Sequence, residues 1–323
     1  MVIDEAKQDG SPWHEGERAV QRLVGVAEQI DPIGRRNIRS FMPDQHREFF
    51  AGLPFLVAGS VDKEGRPWAS ILSGPPGFAV SLDPRRLRIA AQPAAGDPLR
   101  EALGLGAMLG LLGIELSTRR RNRVNGPIVE WDRDGFTVAV AQSFGNCPSY
   151  IQRRDCIGRD EKVRAHAEPL SGLDDAAREL ILRADTCFVA SAAPAGRSVD
   201  VSHRGGRPGF VRIAGDGAIV VPDYRGNRYF NTLGNLRINP RAGLLFIDFA
   251  NGDLLQLTGT TEIVWSGPEV RALMGAERLW RLVPTRGNRL RGGFPLRMQF
   301  RDFSPMSLAT GTWAEAGTEI GAG

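Results

Sequence analysis

The sequence predicts a mainly β protein with short helices, built as two tandem copies in one chain. Three observations predict it. Short apolar or β-branched runs alternate with Gly-, Pro- and Asp-rich turns over most of the 323 residues. Segments of the second half repeat segments of the first in the same order. Arg207-Pro208-Gly209-Phe210-Val211 matches Pro75-Pro76-Gly77-Phe78-Ala79, an offset of 210 − 78 = 132. Gly243-Leu244-Leu245-Phe246-Ile247-Asp248 matches Gly110-Leu111-Leu112-Gly113-Ile114-Glu115, an offset of 243 − 110 = 133. Thr258-Gly259 before Trp265 mirrors Asn125-Gly126 before Trp131. Ordered matches at nearly one offset mark an internal duplication. Third, the stretch 202–249 strings together a hairpin, a Gly-containing turn with an arginine, a short helix and a buried strand.

Taken in order, the residues before Ser11 form a loose tail, and 15–30 form a helix with Val20, Leu23, Val24, Ala27 and Ile30 on one face. Asp31-Pro32 and Gly34 end it. A short helix opens at Pro43-Asp44 with Asp44 as N-cap and leads through Gly52 to a strand over 55–60. Asp62-Lys63-Glu64-Gly65 turns the chain into a returning strand, 67–72; strands 78–81 and 87–91 pair across Asp83-Pro84. In the second copy a helix over 174–183 leads into strand 187–191, and a further strand covers 197–201. Runs 210–213 and 218–221 flank the hairpin turn Ala214-Gly215-Asp216-Gly217. A helix closed by Asn239-Pro240 precedes a strand over 242–249. Ser266-Gly267-Pro268-Glu269 reads as a capping-box start for a helix through Met274, 294–303 as a final strand, and the chain after Thr310 as a frayed tail. The expected divisions are 1–34 (tail and helix), 35–168 (first copy) and 169–323 (second copy with its C-terminal helix and strand), joined by a linker at 167–172.

Composition excludes several classes. Hydrophobic residues make up 42% and charged residues 24%, as in ordinary globular domains. The net charge of +4 is too small to demand a polyanionic partner. Cys147, Cys156 and Cys187 with His14, His46, His166 and His203 give no zinc-type spacing. A reducing, cytoplasmic setting is the economical reading. The opening MVIDEAKQDG is polar and unlike a signal peptide, and the longest apolar run, 102–114, is too short to span a membrane.

Three stretches carry candidate chemistry. Ser202-His203-Arg204-Gly205-Gly206 places a histidine and an arginine in a Gly-rich loop, and Pro222-Asp223-Tyr224-Arg225-Gly226-Asn227-Arg228 ends a strand in a turn that can aim donors at an anion. Arg119-Arg120-Arg121-Asn122-Arg123 leads into a strand, where alternation sends neighbouring arginines to opposite faces. No aromatic platform interleaves them, which weighs against nucleic acid. Phe144-Gly145-Asn146-Cys147-Pro148-Ser149-Tyr150-Ile151-Gln152-Arg153-Arg154 closes the first half; Cys147 lacks a visible activating base and reads as a small buried residue, with Tyr150 or Gln152 contacting a ligand or a neighbouring loop. Two motifs are decoys. Gly104-Leu105-Gly106-Ala107-Met108-Leu109-Gly110 follows a helical stretch and precedes a strand, the reverse of a dinucleotide turn, and Arg164-Ala165-His166 lies mid-chain.

The order of strand, Gly226-Asn227-Arg228-Tyr229 turn, helix ending in Asn239-Pro240-Arg241 and strand Leu244-Leu245-Phe246 resembles the pyridoxamine 5'-phosphate oxidase-related family of FMN-binding split β-barrels. In that family the turn is G-S-R-K-like and holds the FMN phosphate; here Tyr229 replaces the lysine. The resemblance implies two tandem split barrels forming an intrachain pseudo-dimer, FMN as cofactor, and an FMN-dependent oxidoreductase or, alternatively, a flavin-binding module without turnover. It implies cofactor contacts from Ser202, His203, Arg204, Pro222, Asp223, Tyr224, Asn227, Arg228, Arg121, Arg123, Tyr150 and Gln152. Expected partners are a small-molecule substrate or an electron donor such as NAD(P)H, with no nucleic acid and no membrane. The chain is expected to work as a monomeric pseudo-dimer or a homodimer.

Overall fold

The computed structural model describes residues 11–160, 164–196 and 198–320, with side chains described to residue 317. The first half contains α1 (Glu15–Leu23), α2 (Ala27–Asn37), α3 (Asp44–Gly52), β1 (Phe55–Val61), β2 (Pro67–Ser73), β3 (Ala79–Asp83), β4 (Arg86–Ile89), α4 (Leu99–Ala102), β5 (Met108–Glu115), β6 (Arg120–Asp132), β7 (Gly135–Ala139), β8 (Gln142–Gly145) and β9 (Arg153–Arg159). The second half contains β10 (His166–Leu170), α5 (Asp175–Arg183), β11 (Thr186–Ala192), β12 (Val199–Gly205), β13 (Arg212–Ile213), β14 (Ile219–Tyr224), α6 (Asn231–Ile238), β15 (Arg241–Ile247) and β16 (Leu254–Val264). It ends in α7 (Pro268–Ala272), β17 (Ala276–Arg291), β18 (Leu296–Asp302), α8 (Pro305–Leu308) and α9 (Trp313–Ile320).

The protein is mainly β, and its two large sheets repeat one topology. The first runs β2-β1-β5-β6-β7-β4-β3 with β8 added to β6, the second β12-β11-β15-β16-β17-β14-β13 with β10 added to β17. Adding ten to each strand of the first order gives the second, so the duplication read from the sequence is a duplication of the fold. Register confirms it at single residues. Leu56 pairs Leu72 and Gly113, while Cys187 pairs Arg204 and Phe246. Gly126 and Gly259 mark the same crowded bend in β6 and β16. A Cβ on either would lie 1.8 Å from Ala139 O or 2.1 Å from Val283 O.

The halves pack as a pseudo-dimer through their β1/β2/β5 and β11/β12/β15 faces. Phe55, Val57, Ile71 and Leu112 from one side and Phe188, Val201, Leu245 and Ile247 from the other form one buried cluster between separate cores. Burying each such side chain stabilises by about 1.5–3 kcal/mol. Close approach is reciprocal: a Cβ on Gly110 would come within 2.8 Å of the Asp200 backbone, and one on Gly243 within 2.8 Å of the Trp68 backbone.

Several expectations are corrected. The N-terminal helix breaks at Gly25, whose φ of +71° and the bond from Val26 N to Gln21 O form a C-terminal cap; the chain then re-enters α2, which carries Pro32 inside it. Asp44 is the first residue of α3 and spends its carboxylate on Arg47, 2.9 Å away, while Pro43 is the N-cap. Most of the expected linker is strand β10, paired with β17. The expected capping box at Ser266 does not form, because Gly267 is the cap of α7 and Glu269 pairs with Arg212 at 2.5 Å. The expected frayed tail contains α9, held by Trp313 Nε1 donating to Phe210 O and by Arg212 stacking 4.0 Å from the Trp313 ring. The expected strand over 197–201 begins at Val199, and Arg197 lies outside the described residues. Among the described residues no helix is long and apolar enough to cross a membrane.

Candidate functional site

One cleft, enclosing about 870 Å³ with open solvent at its mouth included, lies where the two halves meet. β6 of the first half supplies Arg121 and Arg123, and the loop after β8 supplies Asn146, Ser149 and Tyr150. β12 supplies Ser202, His203 and Arg204, and β14 supplies Pro222, Asp223 and Tyr224. The turn after β14 adds Asn227 and Arg228, and the first turn of α6 adds Asn231, Thr232 and Leu233.

Strand alternation selects the arginines. Arg121 and Arg123 face the cleft, whereas Arg120 points away and lies 5.2 Å from the Phe49 ring. Arg119, at φ +58°, donates to Ile151 O and pairs with Asp302. Arg123 is bound inward: its guanidinium is 2.9 Å from Asp200, both side chains 3% exposed, and donates to Val201 O, Ser202 Oγ and Asn231 Oδ1. Arg121 donates to Cys147 O at 2.9 Å, and no carboxylate among the described residues pairs with it. Burial, then Arg123 and Arg204, bring its pKa down to about 9.

Four arginines and two carboxylates line the cleft. Asp223 is 2.9 Å from Arg278 and 3.6 Å from Arg204, and burial raises its pKa against both arginines. Glu277 is 2.7 Å from Arg278 and 3.9 Å from Arg228. The surplus is positive, and Asn231, Thr232 and Leu233 of the first turn of α6, whose N–H groups have no acceptor within their own helix, line the same space. His203 is 3% exposed with neither ring nitrogen bonded, and Arg204 Nε is likewise unpartnered. Burial, followed by Arg121, Arg204 and Arg154, holds the His203 pKa well below its ordinary value, so the ring is neutral. Tyr150 and Tyr224 stack at 5.2 Å and form an aromatic wall.

The structure therefore brings together every residue expected at the site except Gln152. Gln152 is fully buried behind the cleft; its Nε2 donates to backbone oxygens of Tyr150, Asp185 and Gly206 and to Ser307 Oγ, and its Oε1 accepts from Ser304 N. It ties the Tyr150 loop to β12 and the C-terminal segment instead of reaching a ligand. Ser202 and Asn227 line the cleft but also serve the protein. Ser202 Oγ donates to Asp200, and Asn227 Nδ2 donates to Asn146 while its Oδ1 accepts from Tyr229 N. Tyr229, standing where the resemblance has a lysine, turns into a cluster with Trp13 and Phe144 and is 5% exposed. Sequence reasoning missed Asn231, Thr232 and Glu277, and it named Asn146 only as part of the stretch 144–154; Cys147, expected to be buried, is exposed. The two α6 residues follow directly on the Gly226 turn and were findable; Glu277 reaches the cleft from the start of a strand that carries no motif.

Residues 173–289 match the family model described as pyridoxamine 5'-phosphate oxidase. Among solved structures, the chain is similar to HupZ of Group A Streptococcus at 16% identity, over 38% of this chain and 98% of that one, with a TM-score of 0.31. It is similar to an F420 reductase at 18% identity, over 34% and 94%, with a TM-score of 0.27. It is also similar to HutZ, described as the heme storage protein from Vibrio cholerae, at 16% identity, over 38% and 96%, with a TM-score of 0.27. No curated protein matches. The matched segment includes β12, β14, the Gly226 turn and α6, so it is the second half of this chain that is similar to the pyridoxamine 5'-phosphate oxidase family.

Proposed function

We propose that this chain binds FMN in the cleft between its halves and acts as an FMN-dependent oxidoreductase. The observation that carries this reading is the charge of the cleft: four arginines against two carboxylates, with the start of α6 opening beside them. A phosphate dianion satisfies such a surplus through charge-assisted hydrogen bonds. The unpartnered Arg204 Nε–H and the one N–H of the neutral His203 ring supply further donors, and the Tyr150–Tyr224 pair offers a ring surface. Bound there, the flavin would carry the hydride or electron chemistry, while Arg121, Arg204 and Arg228 would hold its phosphate.

The substrate or electron donor is a small molecule, with NAD(P)H the first donor to try; neither nucleic acid nor membrane enters the reading. The chain is proposed to work in the cytoplasm, as a monomeric pseudo-dimer or a homodimer. The test is an absorption spectrum of the purified protein, followed by anaerobic addition of NADH or NADPH. Flavin bands that bleach support the oxidoreductase. Bands that persist with every donor leave a flavin-binding module, and a folded protein that neither retains nor takes up FMN overturns the reading.

A further inference from the structure

The duplication supplies an internal comparison for the cleft. Register gives the cleft residues on β6 and β12 counterparts on the opposite side of the pseudo-dimer. Cys187 pairs Arg204 as Leu56 pairs Leu72, and Phe188 pairs His203 as Val57 pairs Ile71. Gly113 pairs Asn122 as Phe246 pairs Leu255, so Arg121 and Arg123 correspond to Leu254 and Gln256. The counterparts of Arg204, His203, Arg121 and Arg123 are thus Leu72, Ile71, Leu254 and Gln256.

We propose that each chain holds a single anion-binding cleft, and that its pseudo-symmetric counterpart is closed by apolar and amide residues in place of the arginines and the histidine and by an internal polar lock. The inference rests on the FMN reading and adds the number and position of sites. At the counterpart, Gln256 Nε2 donates to Ala69 O, Ser70 Oγ and Asp97 Oδ2. Asp97 also accepts from Ser70 Oγ at 2.5 Å and from Leu99 N at 2.8 Å, and Asn288 Nδ2 donates to Gln256 Oε1 and Gly96 O. All of these side chains are buried and have partners within the protein. The turn before α4 is packed as well: a Cβ on Gly96 would lie 2.3 Å from the Ala167 Cβ, on β10. An anion there would meet a buried carboxylate, no arginine at the four replaced positions, and a filled volume. An uncompensated charge in such a site is strongly disfavoured. The halves have therefore divided the work, with the first lending Arg121, Arg123 and Tyr150 to a cleft whose floor belongs to the second.

Equilibrium dialysis of FMN against the flavin-free full chain tests this. Saturation at one equivalent per chain is expected, and two equivalents overturn the single-site inference while leaving FMN binding standing. Zero equivalents on a folded chain overturn both. Location is tested with Arg121→Leu, which strands no carboxylate and copies Leu254, a residue the fold already accepts at this register. That variant should melt like the parent and bind FMN about ten- to a hundredfold more weakly, the value of one charge-assisted bond. One equivalent bound at unchanged affinity overturns the placement of the site.

Discussion

Arg123 and Gln256 make the same two contacts on opposite sides of the pseudo-dimer. Arg123 donates to Val201 O and Ser202 Oγ, and Gln256 donates to Ala69 O and Ser70 Oγ. The register places Val201 and Ser202 where Ala69 and Ser70 stand in the other copy. A long side chain reaching from the central strand of one half into β2 or β12 of the other is therefore a property of the duplicated fold. What differs is charge. Arg123 carries a cation that needs Asp200, whereas Gln256 needs no counterion.

Removing one member of the Arg123–Asp200 pair should be costly, and removing both should not. Arg123→Ala leaves a carboxylate that is 2% exposed as a residue without its cation, which costs about 3–5 kcal/mol. Arg123→Gln combined with Asp200→Asn copies the neutral arrangement at Gln256 and should recover most of that loss. Urea denaturation of the three proteins checks this. Equal midpoints for the single and double variants would show that the pair does not act as a unit.

Arg228 should matter for phosphate and not for folding. Its guanidinium lines the cleft, its nearest carboxylate is Glu277 at 3.9 Å, and its side chain is 32% exposed. Its φ of +61° is unfavourable for arginine and alanine alike, so Arg228→Ala adds no backbone strain. A charge-assisted bond is worth about 1.5–3 kcal/mol, so FMN affinity should fall roughly ten- to a hundredfold. Riboflavin, which has no phosphate, should bind as before. Equal loss of both ligands would instead point to a damaged cleft.

The fold and the site were legible in the sequence to different depths, for physical reasons. Local pattern located β1, β2, β11 and β15, because each is a short apolar run between turn residues. It missed β17 altogether: Arg278, Arg281, Arg286 and Arg289 interrupt its apolar residues, and Pro284 lies at its middle, beside the bend at Gly259. The strand exists because β14, β16 and β10 all pair with it, a tertiary cause that no local window contains. The site was more readable because 202–204 and 222–228 are contiguous and strand alternation picks Arg121 and Arg123 from their cluster. Gln152 misled because a buried amide that closes a loop and an amide that meets a ligand look alike in sequence.

His203 should make the protein acid-sensitive. Its folded pKa is depressed, so the unfolded chain binds a proton near the ordinary histidine value that the folded chain refuses. The stability this represents is present above about pH 6.5 and is lost as pH falls below it, by at most about 1.4 kcal/mol per pH unit. His203→Ile, which copies Ile71, should flatten the slope between about pH 6.5 and 5. Groups common to both proteins cancel in the comparison, including Asp97, whose pKa of about 6, raised by burial, acts with the opposite sign. Parallel pH profiles for parent and variant would mean that His203 is protonated in the fold.

The N-terminal helix should prove to be part of the cleft. α1 crosses α6 at a pair of glycines: a Cβ on Gly16 would lie 2.1 Å from Gly234 O, and one on Gly234 2.6 Å from Glu17 Cγ. Only that contact lets Glu17, 3% exposed, accept from Asn231, which also accepts from Arg123 and lines the cleft. Gly16→Ala must push the helices apart, and overpacking of this kind costs about 1–3 kcal/mol. FMN affinity should fall with it, since Asn231 loses its carboxylate partner and the first turn of α6 shifts. The control is Gly52→Ala, the same chemical change at a helical glycine with nothing within 4 Å of the added methyl. That variant should be neutral or up to about 1 kcal/mol more stable, because alanine loses less backbone entropy on folding. Urea midpoints and FMN dialysis on both variants decide the matter. If Gly16→Ala is destabilised yet binds FMN like the parent, α1 supports the fold and has no part in the site.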